Sequence, residues 1–116
     1  MTATEMRGKV ESVWRADTSA SPGRWTPTNP SIGHCAVTAL LVQDWCGGDL
    51  LRAKVDGESH YWNRLPDGSE VDITRDQFGD PEPVIPAGEI RTREYVLSFP
   101  ATILRYEMLK TRVEQG

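Results

Sequence analysis

The chain has 116 residues, a length that suits one domain with a single hydrophobic core and no need for a metal or disulfide. Its apolar fraction of 38%, charged fraction of 26% and net charge of −4 argue against a nucleic-acid-binding or anionic-membrane surface, because such surfaces need clustered Lys and Arg. No segment resembles a signal peptide or a membrane span of roughly 20 apolar residues, so we expect a cytoplasmic protein with reduced cysteines and no nucleic-acid or membrane partner.

The first predicted element is a short helix within residues 4–16. Its apolar residues recur at spacings of three and four: Met6, Val10, Val13 and Trp14. We expect this stripe to pack on the central helix. Residues 17–32 are rich in Ser, Thr, Pro, Gly and Asn and predict a loop, and loops of this length in a compact domain are usually functional or disordered.

The central predicted helix begins at Cys35. The run from Cys35 to Trp45 is almost wholly apolar and is ended by Gly47-Gly48, so about three helical turns fit it better than a strand. Cys35 then lies in the first turn, where unpaired backbone N–H groups and the helix dipole stabilise a thiolate. Cys46 lies eleven positions later, about 16 Å along the helix and beyond disulfide reach, and we expect it to be inert.

An antiparallel meander follows the central helix. Strands are predicted at residues 50–55, 59–65 and 69–74, with turns at Asp56-Gly57 and Pro66-Asp67-Gly68. The fold class is therefore α+β, with the Cys-bearing helix packed on a sheet of three or four strands and flanked by terminal helices. The spacing of Pro and Gly excludes a long regular element in residues 75–90.

The C-terminal region is predicted to hold a short turn and a helix. Thr92 is expected to cap the turn, which runs through Leu97, and Ser98 is expected to cap a helix from about Phe99 to Val113. Pro100 suits the first turn of that helix. The predicted inward stripe is Ile103, Tyr106 or Leu104, Met108 and Val113.

The register of the second hairpin decides whether His60 and Asp72 can interact. A three-residue loop leaves Leu65 opposite Ser69 and makes His60 and Asp72 diagonal neighbours on one face. A two-residue Asp67-Gly68 turn moves them to opposite faces. We favour the three-residue loop because it directs Val71 and Ile73 together towards one apolar layer.

Given that register, the residues predict nucleophilic acyl transfer. Cys35 would attack the acyl carbon, His60 would take and return the proton, and Asp72 would orient the imidazole. The Cys35 backbone N–H can stabilise an oxyanion, and Asn29, the His34 ring and a loop amide are candidates for a second donor. We expect the loop from Trp25 to Ile32 to form one wall of the cleft.

Two further residues are candidates for binding the substrate. We expect residues 75–78, with Gln77, to lie near the other wall of the cleft. Trp62, beside the histidine strand, fills the core or lines a substrate groove.

The order of these motifs resembles the transglutaminase-like branch of papain-like cysteine enzymes over roughly residues 29–78. More narrowly, Gly33–Leu40, His60–Asn63 and Val71–Thr74 with Gln77-Phe78 resemble the small bacterial YunG-like proteins. The resemblance implies a Cys-His-Asp triad in a single papain-like domain, residues 1–116, and does not imply a substrate. In that family we expect glutamine at the position of His34, so His34 would have to replace it if the glutamine is an oxyanion donor.

Other interpretations use the same residues. Cys35 and His60 can be buried core residues, and Asp72 can bind turn amides. His34, Cys35, His60 and Asp72 could be metal ligands, although structural zinc normally takes closely spaced ligand pairs. The sequence therefore predicts a cofactor-free cysteine hydrolase or acyltransferase for a small-molecule or peptide amide, isopeptide or thioester. An inactive binding or adaptor protein and a specialised biosynthetic enzyme on the same fold are the alternatives.

Overall fold

The computed structural model describes residues 1–116 and has an α+β fold. Its helices are α1 Ala3–Val10, α2 Cys35–Cys46, α3 Arg93–Val96 and α4 Pro100–Gln115. Its strands are β1 Asp49–Val55, β2 Glu58–Arg64, β3 Glu70–Val71 and β4 Glu89–Arg91, and 3-10 turns lie at Ala16–Thr18 and Arg75–Phe78. The sheet is antiparallel throughout, in the order β3-β2-β1-β4.

Helix α2 lies at the centre of the core, as its composition predicts. All six residues from 37 to 42 are buried, because the helix is apolar around most of its circumference and contacts both the sheet and α4. Leu50 and Tyr61 belong to the same core, and Asn63 on β2 donates from Nδ2 to the Ala39 carbonyl at 2.9 Å. The sheet face that carries these residues therefore packs against α2.

The other face of the sheet has its own apolar cluster, formed by Leu51, Ala53 and Trp62 and covered by Ile85. The chain between the Arg75–Phe78 turn and β4 crosses this face. At Gly88 an added Cβ would lie 2.7 Å from the Trp62 ring, so the backbone approaches the ring as closely as a glycine allows. Both faces of β2 are thus covered.

The second hairpin has the predicted register. Asn63 pairs with Val71 and Arg64 with Glu70, and the Leu65 N–H donates to the Ser69 carbonyl at 2.7 Å across a three-residue loop. Ile73 is buried in the core, and Val71 packs against it. The third strand is shorter than expected, because ladder pairing ends at Val71 and the chain turns away there.

The predicted end of the first helix needs correction. Helix α1 ends at Val10 and not near residue 16, although Met6, Val10 and Trp14 are all buried as expected and Val13 packs against them. The fourth strand of the sheet is β4, whose position was not predicted because its three residues carry too short a pattern. Thr92 caps α3 as predicted, accepting from the Tyr95 N–H.

Helix α4 begins as predicted, but part of its predicted inward stripe lies on the exposed side of the helix. Pro100 is in its first turn, yet Ser98 does not cap it, since the Ser98 hydroxyl donates to the Tyr95 carbonyl instead. The inward face consists of Thr102, Tyr106 and Leu109, whereas Leu104 is 64% exposed and Met108 37% exposed. Of the predicted stripe, Tyr106 is buried and Val113 packs against the core, whereas Leu104 and Met108 remain at the surface because the helix packs through Tyr106 and Leu109. No helix has the length and apolar character needed to cross a bilayer.

Candidate active site

His60 and Asp72 form a buried hydrogen-bonded pair. The His60 Nε2 lies 2.6 Å from Asp72 Oδ2, and the two side chains are 3% and 9% exposed. The other carboxylate oxygen, Oδ1, is buried and has no hydrogen-bond partner, so His60 alone orients and compensates the carboxylate. The predicted meeting of these two residues across the hairpin is what the structure shows.

Aromatic rings hold the imidazole of His60 in place. Trp62, on the same face of β2, stacks on it with ring centroids 5.5 Å apart, and Phe78 contacts it edge-on at 4.8 Å. Because Nε2 is engaged by Asp72, Nδ1 is the nitrogen left for another partner.

Cys35 is brought to the same place by the start of α2. Its Sγ lies 3.8 Å from the carbonyl oxygen of Ser59, the residue before His60, and the side chain is half-buried. Strand β3 pairs only with residues 63 and 64 of β2, so the edge of β2 at Ser59 and His60 carries no neighbouring strand. The helix terminus can therefore approach the histidine from this open edge.

Asp72 and Cys35 both raise the pKa of His60. Burial by itself lowers this pKa, but hydrogen bonding to Asp72 and to Cys35, together with the negative charges of both groups, outweighs burial and raises it from 6.5 to about 9. The charged imidazolium is thus the favoured form at neutral pH. The Cys35 sulfur and the Asp72 carboxylate therefore both lie close enough to His60 to affect its charge.

Two flanking segments fix the loop before Cys35. The Ser19 hydroxyl donates to the Ile32 carbonyl at 2.7 Å, and the Ala20 N–H donates to the Gly33 carbonyl at 2.9 Å. On the other side, the Ser31 hydroxyl donates to Asp76 at 2.9 Å. The approach to the cysteine is therefore ordered from both sides.

His34 does not face the site, and the prediction that its ring donates to an oxyanion is wrong. The ring is fully buried against Trp14, with Nδ1 3.1 Å from the Ile32 carbonyl and Nε2 2.7 Å from the Thr18 hydroxyl. Burial, only partly opposed by hydrogen bonds to the backbone, lowers the pKa of His34 to about 4, so the ring is neutral at pH 7. Nε2 thus links the 30–34 loop to Thr18, and Nδ1 fixes the ring to Ile32 of its own loop.

Of the other predicted binding residues, Asn29, Gln77 and Trp62, only Gln77 lines the cavity. Asn29 donates from Nδ2 to the Gln77 carbonyl at 3.2 Å and so links the two loops beside the site. Gln77 lines the cavity, as predicted, while its Nε2 is bonded to Thr74. Trp62 is not part of the cavity wall, because it is buried and donates from Nε1 to Glu70 at 2.7 Å.

Cys35 opens into a cavity of about 390 Å³. One wall comes from residues 20–24 with Ile32 and Gly33, and Gln77 and Phe78 lie at another part of the lining. The predicted loop wall is therefore displaced towards residues 20–24, because residues 25–31 fold outside the lining, where the Trp25 Nε1 donates to the Pro30 carbonyl. A side of the cavity that was not predicted comes from α3 and α4.

Arg105 on α4 is the most informative of the lining residues that the sequence analysis missed. It lies beside Thr102, and its Nε is buried without a hydrogen-bond partner. The signal was present in the sequence: residues 102, 105, 106 and 109 have the spacing of one helix face, and an arginine interrupts it.

The residues considered as metal ligands do not form a ligand set. Both ring nitrogens of His34 are directed at Ile32 and Thr18, away from Cys35. No group of three or more His, Cys, Asp or Glu side chains has a geometry suited to a metal ion.

Comparison with known proteins gives a family match over nearly the whole chain. The family model described as YunG protein matches residues 2–116. A curated relative from Bacillus subtilis (strain 168), named Uncharacterized protein YunG, is 41% identical over 61 residues, which cover 53% of this chain and 52% of that protein. The chain thus spans about half the length of the curated relative it matches. No solved structure gives a match.

Proposed function

The chain belongs to the YunG family, and from this premise and the site geometry we propose that it is a cysteine-dependent hydrolase or acyltransferase acting on an amide, isopeptide or thioester. The observation that carries the proposal is the 2.6 Å hydrogen bond between His60 Nε2 and Asp72 Oδ2, with Cys35 at the open end of the same unit. Nucleophile, base and orienting acid then occur in the order used by papain-like and transglutaminase-like enzymes.

In the proposed resting state His60 is already the imidazolium, and its Nδ1 holds the proton that the Cys35 thiol has given up. The Asp72 carboxylate accepts the Nε2–H and so fixes this tautomer and stabilises the imidazolium. The Sγ–C bond then forms on the acyl carbon, the bond to the leaving amine or thiol breaks, and His60 returns the proton to that leaving group. Water or an acceptor amine then attacks the thioester and loses its proton to His60, and the C–Sγ bond breaks to release the Cys35 thiolate beside the imidazolium.

The start of α2 supplies the oxyanion donor in this proposal. The backbone N–H of Cys35 is at the first helical position and makes no hydrogen bond within the chain. Together with the helix dipole, it favours negative charge at the carbonyl oxygen of a tetrahedral intermediate. The arrangement of helix, sheet and triad supports assignment of the domain to the papain-like architecture.

The test uses alkylation by iodoacetamide near neutral pH, followed by intact mass and peptide mapping. Wild-type protein should be labelled at Cys35, and Cys35→Ser should abolish this labelling. Cys46→Ser is the matched control and should label normally, because the Cys46 Sγ packs against Met6 Sδ at 3.6 Å, away from the cavity. His60→Ala should slow labelling of Cys35 roughly tenfold, since a free thiol is only a few per cent ionised at pH 7.

Two results would contradict the proposal. Labelling that persists at Cys46 alone in Cys35→Ser, at the wild-type rate, would mean that the nucleophile is misassigned. A Cys35 that reacts no faster than free N-acetylcysteine would favour a binding or adaptor protein on the same fold. A positive result would be followed by a panel of thioesters and aryl esters, with the acyl group on Cys35 as the measured intermediate.

A further inference from the structure

We propose that Arg105 is an anion receptor in the Cys35 cavity, so that the acyl substrate carries a carboxylate. This inference rests on the proposed function and deepens it, because it names a chemical class of substrate and a specificity-determining residue. Two observations support it: Arg105 lines the cavity, and its buried Nε has no hydrogen-bond partner.

Arg105 projects from the inward side of α4 into the wall of the cavity that holds Cys35. Its Nε is buried and has no hydrogen-bond partner, and its one hydrogen bond runs from Nη2 to the Thr102 hydroxyl at a long 3.3 Å. None of the nine ion pairs of the chain includes it. Arg105 as a whole is only partly buried, but a guanidinium whose Nε is removed from water without a partner is a costly feature that a bound anion would relieve.

The other charged residues of the lining do not neutralise it. Arg24 and Glu58 pair with each other at 3.3 Å, and both side chains are well exposed. Asp56 lies on the exposed turn between β1 and β2. Of the two arginines in the lining, Arg105 is therefore the one without a carboxylate partner, although the whole chain has a net charge of −4.

Arg105 and Cys35 line the same cavity. Burial lowers the pKa of Arg105, and a negative charge on Cys35 acts in the opposite direction. A guanidinium presents two parallel N–H donors, which suit a carboxylate held in a bidentate manner. An acyl donor with its carbonyl at Cys35 and a carboxylate a few bonds away would satisfy both groups at once.

The test compares two alkylating reagents of nearly equal shape, anionic iodoacetate and neutral iodoacetamide, on Cys35. The measured quantity is the ratio of the two rate constants, divided by the same ratio for N-acetylcysteine. We expect this normalised ratio to exceed one in the wild type and to fall roughly tenfold in Arg105→Gln, as one unit charge several ångströms away would produce. Arg105→Lys should retain most of the preference. Arg64→Gln removes an equal charge from an exposed position outside the cavity and should leave the ratio unchanged.

Three results would overturn the inference. If Arg105→Gln slows both reagents equally, Arg105 is a counterion of the thiolate and not a receptor for substrate. If inorganic phosphate protects wild-type Cys35 from iodoacetamide and propionate does not, the carboxylate assignment is wrong. In both cases fast alkylation of Cys35 by iodoacetamide in the wild type would leave the proposed function intact. If Cys35 reacts with neither reagent faster than N-acetylcysteine, the proposed function fails and this inference fails with it.

Discussion

Replacement of Asp72 by asparagine isolates the charge that supports His60. The substitution keeps the size of the side chain but removes the carboxylate that lies 2.6 Å from His60 Nε2. Burial, which lowers the pKa of His60, is then opposed by Cys35 alone. We expect the pKa of His60 to fall well below 9, towards the ordinary value of 6.5 or lower.

The size of the effect follows from the pKa of His60. A rise from 6.5 to about 9 corresponds to about 3 kcal/mol of extra binding of the proton by the folded state. Hydrogen bonding to Asp72 contributes more to that rise than hydrogen bonding to Cys35, so most of this difference of about 3 kcal/mol should depend on Asp72. The raised pKa means that the folded protein binds more protons, so this stability is complete below pH 6.5 and is lost as pH rises to about 9.

Two measurements test this reasoning. The imidazole resonances can be titrated by nuclear magnetic resonance, where the chain has only two histidines and His34, with a pKa of about 4, is well separated. Urea unfolding in a Cys35→Ala background, which removes ionisation of the thiol, should show a loss of up to about 3 kcal/mol from pH 6.5 to 9 with Asp72 and little loss with asparagine. An unchanged pKa of His60 in Asp72→Asn would refute the reasoning.

Two further predictions concern the loop that delivers Cys35. Gly33→Ala should reduce stability in urea unfolding by about 3 kcal/mol, because Gly33 has a φ of 75° and an added Cβ would lie 2.1 Å from Ser19 Oγ. Gly57→Ala, also at positive φ but with no atom within 4 Å, should cost only about 1 kcal/mol, and equal costs at the two sites would disprove the role of packing. His34 has a lowered pKa, so the unfolded state binds the proton first and stability should fall by up to about 3 kcal/mol as pH falls from 6.5 to 4. Unfolding of His34→Gln should lack this component, and an identical pH dependence in both proteins would contradict it.

The candidate site was predictable where local pattern and chemistry coincide. The cysteine before a long apolar run places a sulfur at the start of a helix. In the hairpin, a three-residue Pro66–Gly68 loop gives the register that places His60 and Asp72 on the same face, and a two-residue turn does not. Those two facts put Cys35, His60 and Asp72 in a small region before any coordinates are known. The family match over residues 2–116 agrees with the motif on which the resemblance rested.

Side-chain direction was not predictable in the same way. His34 precedes the cysteine and has the chemistry of an oxyanion donor, yet its backbone conformation turns the ring into the core against Trp14. Asn29 was a candidate for the same role and is instead bonded to the Gln77 carbonyl. In helices and strands the direction of a side chain follows from its position in a repeating pattern, but a loop has no such pattern.

Local propensity and spacing along the chain predicted the position of Cys35 at the start of the apolar helix and the strands of the meander, and they favoured the observed hairpin register. Tertiary packing decided which face of α4 points inward and therefore that Arg105 lies across the cavity from the sulfur. It also decided that the Asp72 carboxylate has His60 as its sole partner. Burial and charge compensation depend on residues far apart in the chain, and these contacts exist only once the helices and the sheet are assembled.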